Sequence, residues 1–291
     1  MEHDRASVND VAIDALGNRH PRVADPATLR IVSLVPSITE LLCDLGLAPR
    51  LVGRTGFCIH PTDVVDAIAK VGGTKTVNIE KIRKLAPTHL VVNVDENEKP
   101  TVETLAGFIP NVIVTHPLGP HDNLALYRLM GHVFAREAEA EALCARFDSV
   151  WDAVTRRTWP ARRVLYLIWK DPWMTVARDT YVAATLATVG WMQIDVSDVA
   201  SGGSPRYPAI DLARALRDVD RVLLSSEPYA FKQTHVGEIE RLADVGGRRP
   251  QVRLIDGEWA SWYGSRAIEG LDRLARAASD AARETAFDQS T

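Results

Sequence analysis

From His132 to Trp159 the chain runs HVFAREAEAEALCARFDSVWDAVTRRTW without a glycine or a proline. Leu143, Phe147, Val150, Trp151 and Val154 recur at helical spacing, opposite a charged face of Glu139, Arg146, Asp148, Asp152 and Arg156. Roughly 28 residues at about 1.5 Å each make a rod of about 40 Å, longer than an ordinary globular helix. It lies in the middle of 291 residues, with strand-and-helix patterning on either side. This predicts a stiff spine joining two α/β lobes across a cleft of nearly fixed width, with only a few degrees of lobe movement on ligand binding. The plainer reading is one long helix inside a single domain.

The flanking patterns divide the chain. Residues 1–28 are polar and broken by prolines, an N-terminal arm with a turn at Asp14–Gly17. Residues 29–134 form an N-terminal α/β lobe, 135–159 the bridging helix, 160–278 a C-terminal α/β lobe and 279–291 a polar tail. In the first lobe Arg30–Val35 is a short apolar run ending at Pro36, the mark of a buried strand. Ser37 and Glu40 read as a capping box for a helix with Ile38, Leu41, Leu42 and Leu45 on one face, stopped by Gly46. Strands are expected at 89–94 and 111–115, and helical pieces at 79–85 and 102–108. The second lobe repeats the grammar, with strands at 163–168, 221–225 and 252–255 and helices at 181–189, 210–216 and 265–278. Strands alternating with helices predict mainly parallel sheets in both lobes.

Composition narrows the function. A net charge of −4 with interspersed signs gives no footing on a nucleic-acid backbone. No stretch approaches the ~20 apolar residues of a membrane span. The first 28 residues hold no apolar core of a secretory signal, so the chain as encoded reads as cytoplasmic, or periplasmic if the true start lies upstream. Cys43, Cys58 and Cys144 are odd in number and widely spaced, which implies no disulfide framework. A monomer is expected.

In parallel α/β sheets ligands gather beyond the carboxyl ends of the strands. Here those positions carry Ser37; Asp95 and Glu96; His116; Trp169 and Trp173; Glu227 and Tyr229; and Trp259, Trp262 and Tyr263. None of the seven tryptophans precedes the helical run, and four of the five that follow it fall in these loops. One loop tryptophan usually covers the edge of a core; four converging on strand ends favour flat faces for a large planar ligand, a tetrapyrrole or aromatic chelate.

Catalytic signatures are absent: no G-x-S-x-G elbow, no phosphate-binding P-loop and no H-E-x-x-H. Phe57-Cys58-Ile59-His60 offers a thiolate and an imidazole two residues apart, a pair suited to a soft metal or a cofactor's axial position. Two ligands are too few for a closed site, and a loop cysteine and histidine without a metal role is the competing reading. No intrinsic cofactor is expected.

The segments 30–45 (RIVSLVPSITELLCDL), 51–54 (LVGR), 71–82 (VGGTKTVNIEKI) and 85–94 (LAPTHLVVNV) resemble the N-lobe of helical-backbone metal receptors, the class III substrate-binding proteins of ABC importers for cobalamin, ferric siderophores and haem. Arg206-Tyr207-Pro208 and 257–266 (GEWASWYGSR) are similar to the C-lobe of the cobalamin-binding branch, and the likeness spans about residues 29–277. It implies two Rossmann-like lobes joined by one rigid helix, with the ligand between them. It further implies that Trp259 contacts a corrin, that Tyr207 is a second site aromatic and that Phe57 opposes them, while Thr74 replaces a stacking tryptophan. Glu80 matches the permease-docking glutamate of the N-lobe. On the C-lobe, Ala213 and Arg214 occupy the acidic positions, a departure that repels permease arginines.

Together these features predict a binding protein rather than an enzyme. It takes a cobalamin-like corrinoid, haem or ferric siderophore, through Ser37, Phe57, Asp95, Glu96, Trp169, Trp173, Tyr207, Glu227, Tyr229, Trp259 and Trp262, and feeds an ABC importer. Two alternatives stand beside it: a cytosolic carrier or sensor of the same ligand class, and an enzyme on the same scaffold using Cys58, His60 or Glu227.

Overall fold

The computed structural model describes residues 11–245 and 249–288. The chain divides into two compact units, and it does so discontinuously. The first unit holds the described residues up to Pro117, then His121–Phe147 and Tyr263–Arg266; the second holds Leu118–Pro120, Asp148–Trp262 and the chain from Ala267 onward.

The first unit opens with a hairpin, β1 (Val11–Ile13) and β2 (Arg19–Pro21), around the expected turn, where Gly17 takes a left-handed φ of 82°. The arm is fastened down. Asp14 is buried and accepts from the amides of Leu16, Asn18 and Val114 and from the side chains of Asn18 and His20.

Then follow β3 (Ile31–Ser33), α1 (Pro36–Asp44), β4 (Leu51–Arg54), α2 (Thr62–Val65), α3 (Ile79–Lys84), β5 (His89–Asn93), α4 (Lys99–Ala106), β6 (Asn111–Thr115), α5 (Asn123–Val133) and α6 (Glu137–Thr155). The sheet order is β4-β3-β5-β6 and every pairing is parallel. All five residues of β5 are buried, as a strand covered on both faces requires. Val32, Leu34, Val71, Ile82, Leu90, Val92, Leu105 and Ile109 pack one layer of the core.

Two local expectations fail here. Pro36 takes the first helical position of α1, so the residue before the helix is Val35 and no side chain caps it. Ser37 lies buried in the first turn, and Glu40 instead pairs with Arg266. The long helical run is also broken: α5 ends at Val133, Ala135 turns left-handed at φ 57°, and α6 restarts at Glu137. The break lets two helices touch, since a Cβ on Gly131 would lie 2.4 Å from that of Ala140. The surviving 19-residue helix is about 28 Å long, and the boundary between the units falls inside it, after Phe147.

The second unit continues with β7 (Arg162–Trp169), β8 (Met174–Thr175), α7 (Tyr181–Ala187), β9 (Trp191–Gln193), β10 (Ala200–Gly203), β11 (Pro208–Ile210), α8 (Leu212–Ala215), β12 (Arg221–Ser225), α9 (Gln233–Val245), β13 (Gln251–Ile255), α10 (Glu258–Ser261) and α11 (Arg266–Asp288). Its sheet runs β10-β11-β8-β7-β12-β13, with β9 also on β7. The pairings β9–β7–β12–β13 are parallel, but β8, β11 and β10 are antiparallel. The helix expected over 210–216 therefore starts late, because 208–210 extends the sheet. α11 runs on to Asp288, through the segment read as a polar tail.

Candidate ligand-binding surfaces at the strand ends

In the first unit the loop after β5 is braced by an amide scaffold. Asn97 donates to the carbonyls of Leu34 and Thr74 at 3.3 and 3.0 Å and accepts from the Asn93 amide at 2.9 Å. Asn93 in turn accepts from the Asp95 amide at 2.8 Å. This leaves the Asp95 and Glu96 carboxylates at the carboxyl end of β5. Asp95 Oδ2 lies 3.5 Å from Nε2 of His116, the residue after β6. Glu96 Oε1 accepts from the Tyr263 hydroxyl, and burial followed by the charge of Glu96 raises that phenol well above its ordinary pKa. Phe57, after β4, is 62% exposed, and its ring edge reaches toward Gly73. Thr74 holds its carbonyl against Asn97 where the resemblance leads one to look for a second aromatic ring.

Not every sequence candidate faces solvent. Ser37 is buried. Cys58 is buried too, its sulfur accepting from Thr39 Oγ1 and bonded to Thr55 Oγ1, each at 3.1 Å, and burial pushes the thiol up. The sulfur of the expected Cys58–His60 pair is thus sealed inside the unit, and among the described residues no group of three His, Cys, Asp or Glu is placed to hold a metal ion.

In the second unit the ends of β7 and β12 build an aromatic cluster. Trp169 is 40% exposed and meets Tyr229 edge-on at 5.5 Å between centroids. Tyr229 packs on Phe231 at 4.7 Å, and Phe231 stacks on Trp173 at 6.1 Å with the planes 2° apart. Lys170 lies over the Trp173 ring at 5.2 Å and pairs with Glu238. The rigid inner rings thus present Trp169 and Tyr229 at the surface.

The loops after β12 and β13 are locked to each other. Glu227 Oε1 accepts from Ser261 Oγ and from the Trp262 indole, both at 2.7 Å, and burial raises the Glu227 pKa. Position 257 must be glycine, since a Cβ there would lie 2.4 Å from Ser225 Oγ and 2.6 Å from Glu227 Cγ. Glu227 and the buried Trp262, both expected as ligand contacts, bind one another. Trp259 and Tyr207 are half-buried against the core around Tyr166, Val176 and Leu274. A polar groove of about 450 Å³ along β13 and α9 holds none of the candidate residues.

Sequence reasoning missed two things. Tyr263 belongs to the first unit although its neighbour Trp262 belongs to the second; nothing in GEWASWYGSR marks that crossing. His116 was legible as a post-strand residue, but its pairing with Asp95 needed the sheet order.

The chain belongs to the periplasmic binding protein family, whose model matches residues 31–228. Among solved structures, it resembles the apo form of the periplasmic heme-binding protein RhuT of Roseiflexus sp. RS-1, with a TM-score of 0.71 at 22% identity, covering 87% of this chain and 99% of that one. The periplasmic vitamin B12 binding protein BtuF of Vibrio cholerae gives 0.68 at 18% identity over 87% and 97%. A periplasmic heme binding protein of Pseudomonas aeruginosa gives 0.70 at 18% identity over 85% and 91%. At these identities the likeness is one of fold. A comparison with curated protein sequences finds no match. Among the described residues no helix is long and apolar enough to cross a membrane.

Proposed function

We propose that this protein is the substrate-binding component of an ABC-type importer, capturing a metal chelate of the corrinoid, haem or ferric-siderophore class on its strand-end aromatic surface. The observation that carries the reading is the exposed Trp169, braced edge-on by Tyr229, in a chain of this family. An exposed indole on a rigid aromatic footing offers a planar ligand a large apolar face at little ordering cost. Absorption and tryptophan-fluorescence titrations with cyanocobalamin, aquocobalamin, haemin and a ferric catecholate test it. The expected result is saturable quenching by at least one of them with a Kd in the micromolar range or below. No quenching by any of the four defeats the reading.

A second reading, a carrier or sensor that meets no permease, draws on α8. Ala213 and Arg214 are exposed there, where the resemblance implies acidic docking residues, while Glu80 is exposed on α3 and pairs with Arg83 at 3.6 Å. A strain lacking the gene separates the two. Unchanged uptake of the chelate supports the carrier, and lost uptake supports the importer.

A further inference from the structure

We infer that the second unit binds a single monatomic anion of the halide class, held by the guanidiniums of Arg162 and Arg221 in a small cavity at the amino ends of β7, β9 and β12. The inference is independent of the chelate reading, whose surface lies at the carboxyl ends of the strands.

The sheet builds the site. Arg162 opens β7 and pairs with Trp191 of β9. Arg221 opens β12, in register with Val164 of β7 on one side and Gln251 of β13 on the other. Gly190, at φ 76°, lets the turn before β9 press against the segment before β7. A Cβ there would lie 2.8 Å from the Pro160 carbonyl oxygen and 2.9 Å from the Trp159 Cβ. Trp159 and Trp191, with Ala278 and Ala281 of α11, wall a cavity that both arginines line. It leaves about 10 Å³ for the centre of a particle of water's size, the room of one such particle.

Charge decides what that particle is. Arg221 is only 2% exposed, and its Nε is buried without a hydrogen-bond partner. Its Nη2 donates to the neutral Gln251 Oε1 at 2.5 Å, and its guanidinium lies 4.9 Å from the centroid of the Trp191 ring. Arg162 Nη1 donates to the Ala161 carbonyl at 3.3 Å. Among the described residues neither arginine forms an ion pair with a carboxylate. The carboxylates whose charge reaches Arg221 are Glu284 and Asp220, and both are engaged, Glu284 by Arg253 and Asp220 by the Arg163 amide. Burial, followed by the charges of Arg253 and Arg162, lowers the Arg221 pKa to about 10.

A buried cation without a counter-ion is costly, and a monovalent anion at the unbonded Nε offsets that cost. A water would accept from Nε but leave both charges uncompensated. The alanine and indole side chains around it offer no acceptor for its protons, and the Trp159 indole N–H already donates to the Val154 carbonyl at 3.0 Å. Phosphate, sulfate and organic carboxylates exceed the space.

Two measurements on the whole protein, without chelate, test the site. Melting is followed in sodium chloride, bromide and gluconate at equal ionic strength, gluconate being too large to enter. The expected result is a saturable rise in melting temperature with either halide and none with gluconate. Crystals grown in bromide, measured at the bromine absorption edge, are expected to show an anomalous peak beside Arg162 and Arg221. Arg162→Gln should raise the halide concentration of half-effect about tenfold, the scale of one charged hydrogen bond, and Arg221→Gln should abolish the effect. Arg162 is only partly buried, so its variant decides should Arg221→Gln fail to fold. Equal melting in halide and gluconate, a water in place of the bromide peak, or a halide effect unchanged in Arg162→Gln each overturns the inference.

Discussion

The hydroxyl of Tyr263 donates to the carboxylate of Glu96 across 167 residues of sequence. Three further interactions hold the same tetrapeptide in the first unit. The Gly264 amide donates to Asn123 Oδ1 at 2.7 Å, the Tyr127 hydroxyl donates to the Gly264 carbonyl at 2.8 Å, and Arg266 forks onto Glu40 at 2.7 and 2.5 Å. Gly264 has φ 77°, and a Cβ there would lie 3.0 Å from the Ser37 carbonyl oxygen.

Removing either partner of the fork should be costly, because Arg266 and Glu40 side chains are only 19% and 14% exposed. Arg266→Met leaves a largely buried carboxylate uncompensated and should lower the unfolding free energy by about 3 kcal/mol. Tyr263→Phe, which deletes only a hydroxyl, should cost about 2 kcal/mol. Urea unfolding of the three proteins measures both; equal midpoints would mean that the tetrapeptide is not fixed as described.

Acid should weaken the first unit through His89. Burial, and then the neighbouring His20, lower its pKa to about 4 from an ordinary 6.5. In that window the unfolded chain takes up a proton that the folded chain refuses. Stability is therefore lost as the pH falls from about 6.5 to about 4, by about 3 kcal/mol from this group. His89→Gln removes the component. Denaturation at pH 7.5 and pH 5 should show a smaller acid loss in the variant than in the wild type.

Glu227 has the opposite sign. Its pKa is raised by burial, so the unfolded chain gives up this proton at a lower pH than the folded chain does. Stability from this group falls as the pH rises from the ordinary carboxylate value through the raised one. Glu227→Gln keeps an oxygen to accept from Ser261 or Trp262 and carries no charge. The melting temperature of the variant minus that of the wild type should increase between pH 4 and pH 7; a flat difference would mean that the carboxylate is solvated.

Two tryptophans should separate binding from stability. Trp169→Ala removes an exposed ring and should weaken chelate binding by about 2 kcal/mol, the scale of an aromatic anchor, with little change in melting. Trp259→Ala empties part of a core edge and should cost about 3 kcal/mol of stability. Melting and titration of each variant, run in parallel, decide between the roles; the reverse assignment would return Trp259 to the ligand surface.

The parallel strands were the legible part of this fold. A strand buried on both faces must be apolar throughout, so β6 and β12 are found at 111–115 and 221–225 as expected. The antiparallel flank was not, because β10 is Ala-Ser-Gly-Gly, fully exposed, and β8 has two residues. The helix break at Ala135 carries no glycine or proline to announce it. At the candidate site, sequence position finds the residues after each strand but not the direction of their side chains. Trp169 and Trp262 both sit in aromatic loops, one exposed and one donating to a buried carboxylate.

The discontinuity of the first unit has a consequence for how the chain is made. Its sheet is fully written by Thr115 and its last helix begins at Glu137, yet Asn123, Tyr127, Glu40 and Glu96 each bond to residues at 263–266. A nascent chain emerging from the ribosome would lack these bonds while β7 to α10 of the second unit are translated. Vectorial synthesis therefore completes the first unit only once Tyr263–Arg266 have emerged and Arg266 can reach Glu40.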